Sequence, residues 1–366
     1  MENLEVMNNL FKGTYRGRKV AISGHTGFKG SWLALWLTQM GAEVSGFSLD
    51  EKGDTSHYSL LKLKLNSHLG DIRKKDELEH FFSREKPEIV FHLAAQSLVR
   101  DSYRFPSYTY ETNVLGTLNI LESARNCESV KAIVNVTTDK VYENNEGGLP
   151  FTETDRMGGY DMYSSSKACS ELLTASYRNS FFNTDQILLA SARAGNVIGG
   201  GDWATDRLIP DIYRGVVAGG VTEIRSPDSI RPWQHVLEPL SGYLLLGQNL
   251  LDSKSEFAGA WNFGHSEGQT MKVNDVIVKM KALWPEIDYK MNEAESARFH
   301  EAGILKLDSS KAIRKLGWKP VWDIRKNIAE TVTWYRAYHE EKAIRSVKNL
   351  QDYVQDAKKM KLDWTL

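Results

Sequence analysis

The chain has 366 residues, with 46 basic and 47 acidic side chains and a net charge of -1. This balance argues against nucleic-acid or membrane partners, so anionic ligands must be bound locally. The two cysteines form no metal-binding pattern and no disulfide framework, and no apolar run approaches the roughly 20 residues of a bilayer span. We expect a cytoplasmic protein without a metal. A single core stops growing near roughly 250 to 300 residues, so we also expect two lobes.

Strand and helix patterns alternate through the first half of the chain. The apolar run at residues 19–23 breaks into glycines and is followed by apolar residues at helical spacing over 29–40. Further short apolar runs predict buried strands at 43–49, 88–93, 131–136 and 186–190. This alternation predicts an α/β fold with a Rossmann-type, doubly wound parallel sheet.

Regular patterns stop at residues 194–203, where four glycines and an asparagine occur, and a second lobe is expected to begin there. A long apolar helix at 236–251 and a strand at 261–263 then follow. We therefore expect residues 1–193, with about 235–264, to form the Rossmann domain. The smaller, interleaved C-terminal substrate-binding lobe would comprise 194–234 and 265–366.

A Gly-x-x-Gly-x-x-Gly turn lies between the first predicted strand and helix. Its glycines are Gly24, Gly27 and Gly30. They would permit a tight turn, and the following helix would offer backbone amides and its positive end to a pyrophosphate. Glycines also serve turns for backbone freedom alone, but this position favours dinucleotide binding.

The position of the ribose-binding acid favours NAD over NADP without excluding the latter. Asp50 lies about 20 residues after the last glycine, which is the usual spacing. The phase of the strand instead puts Ser48 at its end, so Asp50 is equally well explained as a solvated turn acid. Asp71 follows a further predicted strand and is either a ligand of the adenine amino group or an ordinary loop residue.

Tyr163 and Lys167 have the spacing that puts two side chains on one helix face. An ammonium near a phenol lowers the phenol's pKa, so Tyr163 would accept a proton from a substrate hydroxyl. Most Tyr and Lys pairs four residues apart are ordinary surface pairs. The glycine turn upstream favours a catalytic role here.

Three functional side chains follow the strand predicted at 131–136. Thr138 would bind the hydroxyl that is oxidised, and Asp139 and Lys140 would act beyond it as an acid and a base. Carboxyl ends of parallel strands are where doubly wound sheets bind ligands. The alternative is a surface ion pair or a turn.

Together these motifs resemble the extended short-chain dehydrogenase/reductases that modify sugar nucleotides. The shared segments are GHTGFKGSW at 24–32, HLAAQ at 92–96, NVLGT at 113–117 and Tyr-x-x-x-Lys at 163–167. Further segments resemble the branch of 4,6-dehydratases that acts on CDP-glucose: MGGYD at 157–161, RAGNVIGGGDW at 193–203 and RPWQHV at 231–236. Lys140 also matches that branch, whereas dTDP-glucose dehydratases have Glu after the Asp.

The resemblance implies an NAD-dependent lyase that oxidises carbon 4 of a sugar nucleotide, eliminates water across carbons 5 and 6, and returns the hydride to carbon 6. It also implies a homodimer built through the helix of Tyr163, and a role in dideoxysugars of bacterial surface polysaccharide. The cofactor would be bound by Gly24, Thr26, Gly27, Phe28, Lys29, Gly30, Ser48, Asp50, Asp71, Ile72, Ala94, Ala95, Tyr163 and Lys167. The substrate would be bound by Asn196, Arg207, Leu208, Arg231 and His300.

Three alternatives stay open. A sugar-nucleotide 4-epimerase shares the glycine turn and the Tyr-Lys pair but needs no base for carbon 5, so Asp139 and Lys140 disfavour it. A regulatory protein that senses NAD would be expected to have lost Tyr163 or Lys167. Dehydratase chemistry on a GDP- or UDP-sugar is the third. For Arg207, a surface charge pair with Asp206 is a further alternative.

Overall fold

The main sheet is formed by seven parallel strands. The computed structural model describes residues 7–50, 55–144, 148–182, 187–264, 270–292 and 305–366. The strands of this sheet are β1 Lys19–Ser23, β2 Glu43–Ser48, β3 Asn66–Leu69, β4 Ile89–His92, β5 Ala132–Val136, β6 Leu188–Ala194 and β11 Ala260–Phe263. Their order across the sheet is β11-β6-β5-β4-β1-β2-β3. The predicted α/β, doubly wound fold is confirmed.

Helices cover both faces of this sheet, and others pack together away from it. In chain order, the helices of the described residues are α1 Phe28–Gln39, α2 His57–Leu61, α3 Lys75–Glu85, α4 Val99–Arg104, α5 Pro106–Tyr110, α6 Gly116–Arg125, α7 Met162–Ser180, α8 Leu208–Val217, α9 Leu237–Leu251, α10 Val273–Leu283, α11 Ile324–Glu341 and α12 Ser346–Lys359. Short π-helical segments lie at Glu111–Leu115 and Ala312–Leu316, and 3-10 turns at Leu10–Gly13, Asp139–Val141, Ser255–Phe257 and Asp363–Thr365.

Alternate strand residues enter two separate cores, because successive side chains in a strand point to opposite faces. On β5, Val134 belongs to the core beneath α1, α9 and α12. Its neighbour Ile133 belongs to the core beneath α3, α6 and α7. Every residue of β5 and β6 is buried, as expected for interior parallel strands.

A smaller lobe contains three two-stranded pairings. Their strands are β7 Val197–Ile198 with β10 Gln234–His235, β8 Thr222–Ile224 with β13 Tyr289–Met291, and β9 Ile230–Pro232 with β12 Thr270–Lys272. A third core packs α8, α10 and α11 together. After α9 the chain returns to the main sheet, where β11 pairs in parallel with β6. The domain boundaries given above stay a prediction.

Helices in the described ranges lack the combination of length and apolar character that a bilayer-spanning segment requires. Over the same ranges, the His, Cys, Asp and Glu side chains form no group of three suited to a metal ion. Cys127 and Cys169 are free thiols.

Candidate active site

The glycine turn packs tightly between β1, β4 and α1. Gly24 has a φ of +78°, and a Cβ atom there would lie 2.7 Å from the backbone nitrogen of Ala94. At Gly30 a Cβ would lie 1.9 Å from the carbonyl oxygen of Gly24. Helix α1 begins at Phe28 with Gly27 as its N-cap and no side-chain cap. Side chains are excluded from both glycine positions, and the start of α1 faces a large cavity.

This cavity has a volume of about 1240 Å³ and lies at the carboxyl ends of the strands. All the residues assigned to the cofactor line it: Gly24, Thr26, Gly27, Phe28, Lys29, Gly30, Ser48, Asp50, Asp71, Ile72, Ala94, Ala95, Tyr163 and Lys167. They come from five separate parts of the chain. The sheet order brings them together at the switch point between β1 and β4, where doubly wound folds bind nucleotides.

At the carboxyl end of β2, the residue that ends the strand is the one predicted from the sequence. Ser48 ends the strand, and its hydroxyl is 2.7 Å from the hydroxyl of Thr26. Asp50 lies two residues later and also lines the cavity. Asp71 accepts hydrogen bonds from the Arg73 guanidinium at 2.6 and 3.0 Å. Both acids border the cavity, and their roles stay predictions.

The Tyr163 and Lys167 side chains project from α7 into the cavity. Burial raises the pKa of Tyr163 to about 12, and a hydrogen bond with Thr138 opposes that rise. Burial lowers the pKa of Lys167 to about 8, with Glu171 acting in the opposite direction. The Lys167 ammonium donates to the carbonyl oxygen of Val136 at 3.2 Å. The expected lowering of the Tyr163 pKa by Lys167 is therefore wrong for the protein alone, because burial dominates.

Thr138, Asp139 and Lys140 follow β5, at the edge where the sequence predicts them. The Thr138 hydroxyl donates to Asp139 Oδ1 at 2.9 Å and caps the short turn Asp139–Val141. Asp139 is only 3% exposed, and burial raises its pKa even though Lys140 acts to lower it. A solvated surface ion pair is thus excluded for Asp139. Lys140 and Thr138 line the cavity, and Asp139 lies directly behind its wall.

Four of the five residues assigned to the substrate line the smaller-lobe side of the same cavity: Asn196, Arg207, Leu208 and Arg231. Arg207 donates to Asp202 Oδ2 at 2.9 Å. The alternative pairing with Asp206 is wrong, because Asp206 has a positive φ of 61° and instead accepts from Arg100 and Arg225. His300 lies outside the described residues.

Tyr243 is a polar side chain that no sequence pattern singles out. It lies in the apolar helix α9, fully buried, and its hydroxyl has no hydrogen-bond partner among the described residues. Burial raises its pKa, and the nearby Tyr163 and Asp139 raise it further. The Lys29 ammonium lies 6.0 Å from the centre of its ring. An apolar helix pattern does not distinguish one tyrosine from its neighbours.

A buried ion pair behind the site was also missed. Arg193 on β6 donates to Glu171 on α7 at 2.8 Å, and both side chains are at most 2% exposed. Glu171 also accepts from Thr137 and Ser191, at 2.5 and 2.7 Å. Burial alone would raise the pKa of Glu171, but Arg193 and these hydrogen bonds hold it below its ordinary value. The pair connects the helix of Lys167 to β6, and the Thr137 hydroxyl connects Glu171 to the end of β5 next to Thr138.

The fold and the site together define a class. A glycine turn after β1, a Tyr-Lys pair on α7 and a Thr-Asp-Lys run after β5 meet in one cavity, as expected for an extended short-chain dehydrogenase/reductase. The chain matches the family model described as GDP-mannose 4,6 dehydratase over residues 21–331. It belongs to this family.

Two relatives show how far the similarity extends. The chain is 47% identical over 352 residues to CDP-glucose 4,6-dehydratase of Salmonella typhimurium, covering 94% of this chain and 98% of the relative. The crystal structure of DesIV, a dTDP-glucose 4,6-dehydratase of Streptomyces venezuelae with NAD bound, is 24% identical, with a TM-score of 0.73. That alignment covers 87% of this chain and 97% of DesIV.

Proposed function

We propose that this protein is a CDP-glucose 4,6-dehydratase, which converts CDP-D-glucose into CDP-4-keto-6-deoxy-D-glucose and water. One observation carries the proposal: a single cavity joins the glycine turn to Thr138, Lys140 and Tyr163 and to two arginines on the opposite side. The Salmonella relative supports CDP-glucose as the substrate. Because the net change is loss of water, the enzyme is a lyase.

The residues around the glycine turn fit NAD. Gly24 and Gly30 leave no room for side chains, and the uncapped start of α1 faces the cavity, which suits a pyrophosphate. Ser48 or Asp50 would bind the adenosine ribose, and Asp71 with Ile72 would border the adenine. When bound, NAD supplies the hydride acceptor for carbon 4 and the donor for carbon 6, and its cationic ring favours the Tyr163 phenolate.

The chain's own residues would move the protons. Tyr163 accepts the proton of the 4-hydroxyl as carbon 4 is oxidised to a ketone. The ketone acidifies the proton on carbon 5, which Lys140 removes. Asp139 gives its proton to the departing 6-hydroxyl, which leaves as water. The raised pKa of Asp139, caused by its burial, supports this role because the acid must be protonated to act.

Arginines on the smaller-lobe side would bind the diphosphate. A guanidinium can bind phosphate oxygens through two parallel hydrogen bonds. Asp202 already orients Arg207 toward the cavity through a 2.9 Å hydrogen bond. Arg231 lies on the short strand β9 and borders the same space. Asn196 and Leu208 would contact the diphosphate and the base.

We further propose that the enzyme is a cytoplasmic homodimer that supplies dideoxysugar synthesis for lipopolysaccharide O-antigen. Leu115 and Leu172 support a dimer contact, because they are 52% and 60% exposed on the segments next to and within α7. Leu172→Glu should shift sedimentation toward the monomer, whereas the exposed Leu149→Glu should not. Unchanged sedimentation of the Leu172 variant would contradict this interface.

The activity is tested by mixing the protein with CDP-glucose and NAD and following the alkali-induced ultraviolet absorbance of a 4-keto-6-deoxy sugar. The expected result is a signal with the unaltered protein that Lys140→Ala and Tyr163→Phe both lose. Parallel reactions with dTDP-, GDP- and UDP-sugars test the nucleotide. A signal with one of those sugars and none with CDP-glucose would reassign the substrate. A rise in melting temperature without product would indicate binding without this chemistry.

A further inference from the structure

Arg73 contacts two residues of the cavity wall without lining the cavity itself. Asp71 and Tyr108 both line the cavity, and the Arg73 guanidinium contacts each of them. In the proposed function, Asp71 and Ile72 border the adenine of NAD. The amino group of adenine is a hydrogen-bond donor, so its recognition requires an acceptor in a fixed position.

Three donors of Arg73 converge on the Asp71 carboxylate. The backbone N–H donates to Oδ1 at 3.0 Å, Nη2 donates to Oδ2 at 2.6 Å, and Nε lies 3.1 and 3.0 Å from the two oxygens. A carboxylate has about four acceptor sites, so within the described ranges these donors leave about one site for a ligand. Because a planar guanidinium holds a carboxylate in one orientation, that site has a fixed direction.

Arg73 is itself held from the opposite side of the cavity. Its Nη1 donates to Glu111 Oε2 at 3.1 Å. Its guanidinium carbon lies 4.6 Å from the centre of the Tyr108 ring, within the range of a cation–π contact. Tyr108 belongs to α5, and Glu111 begins the π-helical segment that follows. Arg73 therefore joins the loop after β3 to the α5 side of the cavity.

The backbone of this loop is held by other side chains. Asn119 on α6 donates to the carbonyl oxygens of Ile72 and Arg73, at 3.0 and 3.1 Å. Glu77 on α3 accepts from the backbone N–H of Asp71 at 3.1 Å. Loss of the Arg73 side chain should therefore release the Asp71 carboxylate while the loop keeps its course.

On the basis of the proposed function, we propose that Arg73 is a positioning residue that makes the cofactor site selective for adenine. It holds the Asp71 carboxylate so that the remaining acceptor site meets the adenine amino group. A carboxylate in a fixed position also disfavours a base that carries an oxygen in place of that amino group, because two acceptors then face each other.

Arg73→Met removes the guanidinium, and the chain offers a matched control. Arg125 donates to Glu122 through Nε and Nη2, at 3.0 and 3.1 Å, and its guanidinium lies 4.9 Å from the centre of the Phe181 ring. It thus has the same kind of carboxylate and aromatic partners, but it does not line the cavity. Arg125→Met should leave cofactor selectivity unchanged. Thermal unfolding verifies that both variants fold.

The readout is the affinity of the full-length protein for NAD and for nicotinamide hypoxanthine dinucleotide, each measured by calorimetric titration. Hypoxanthine carries a carbonyl oxygen where adenine carries its amino group. Arg73→Met should weaken NAD binding by about tenfold, as expected when a hydrogen bond to a charged group is lost. It should change binding of the hypoxanthine analogue much less, so the preference for NAD falls by about the same factor.

Asp71→Asn tests whether Arg73 acts through this carboxylate. Alone, it should also lower the preference for NAD. Adding Arg73→Met to it should lower that preference no further, because the group that Arg73 positions is already altered. A further fall in the double variant would overturn the proposal.

An unchanged preference in Arg73→Met would overturn the proposal as well. Equal weakening of both dinucleotides would do the same, since Arg73 would then support the loop without reading the base. Failure of the unaltered protein to bind NAD would remove the proposed function and, with it, this role of Arg73. Turnover of CDP-glucose tests the function separately, so the two failures are distinguishable.

Discussion

Asp139 is an acid whose environment favours the protonated form. Its carboxyl is 3% exposed, and burial raises its pKa although Lys140, Lys29 and Arg231 all act to lower it. Desolvation disfavours a charged carboxylate more strongly than these cations favour it. A group of this kind is suited to giving a proton to a departing hydroxyl.

Asp139→Asn should stop the reaction after oxidation, because an amide cannot protonate the 6-hydroxyl. We expect product formation to fall by about 10²- to 10⁴-fold, the usual contribution of general acid catalysis. The reduced cofactor should accumulate, because it is formed before elimination and consumed only afterwards. Its absorbance after addition of CDP-glucose is the measurement.

Tyr163→Phe is the matched control, since it should give neither product nor reduced cofactor. If Asp139→Asn still binds CDP-glucose but accumulates no reduced cofactor, the prediction is contradicted. Asp139 would then be required for the oxidation and not for the elimination step.

At the scale of elements, α7 and β6 are joined by the buried Arg193–Glu171 pair. Such a pair contributes little net stability relative to apolar side chains, but breaking one half leaves a buried charge without its partner. Arg193 also donates to the hydroxyl of Tyr142 at 2.8 Å. The pair therefore fixes α7, with Lys167, against β6 and against the Tyr142 side chain.

Arg193→Met should lower the free energy of unfolding by roughly 3 to 5 kcal/mol, as expected when one partner of a buried ion pair is removed. Adding Glu171→Gln should recover part of that loss, because the unpaired carboxylate is then neutral. Urea unfolding of the two single variants and the double variant measures the coupling. Purely additive effects would show that the two side chains do not act as a pair.

At the scale of the whole molecule, Glu238 joins three parts of the chain that are far apart in sequence. It lies at the start of α9 and accepts hydrogen bonds from the backbone of Val321 and Trp322, at 2.9 and 2.8 Å, and from the hydroxyl of Tyr353 at 2.8 Å. Burial raises its pKa from 4.5 to about 7, although these donors act to lower it.

This shift predicts a pH-dependent stability. Because the folded pKa lies above the unfolded one, Glu238 stabilises the fold fully below about pH 4.5, and the contribution is lost as the pH rises through about 7. The shift corresponds to at most about 3 kcal/mol. Urea unfolding between pH 4.5 and 7.5 should show that the stability difference between the unaltered protein and Glu238→Gln changes by this amount. Parallel pH profiles would contradict the prediction.

The sequence determined the sheet and the motifs that line the cavity around the glycine turn and the Tyr163–Lys167 pair. Three local patterns carry the prediction: the glycine turn, the Tyr163-x-x-x-Lys167 spacing and the Thr138–Lys140 run. Each pattern is located by the strand or helix next to it in the sequence. Since carboxyl ends of parallel strands meet at one edge of a sheet, these patterns also predict that the residues come together. Strand ends differed by one or two residues in several cases, and β6 extends to Ala194.

Only the tertiary structure decided the partners and the protonation of these groups. Arg207 pairs with Asp202 and not with the adjacent Asp206. Arg193 meets Glu171, and Tyr243 lies close to Tyr163 and Asp139 although its helix is predominantly apolar in sequence. The pKa of Tyr163 is raised, not lowered, because burial outweighs the neighbouring charges. Burial and long-range pairing depend on how all the elements pack, and a local pattern does not carry that information.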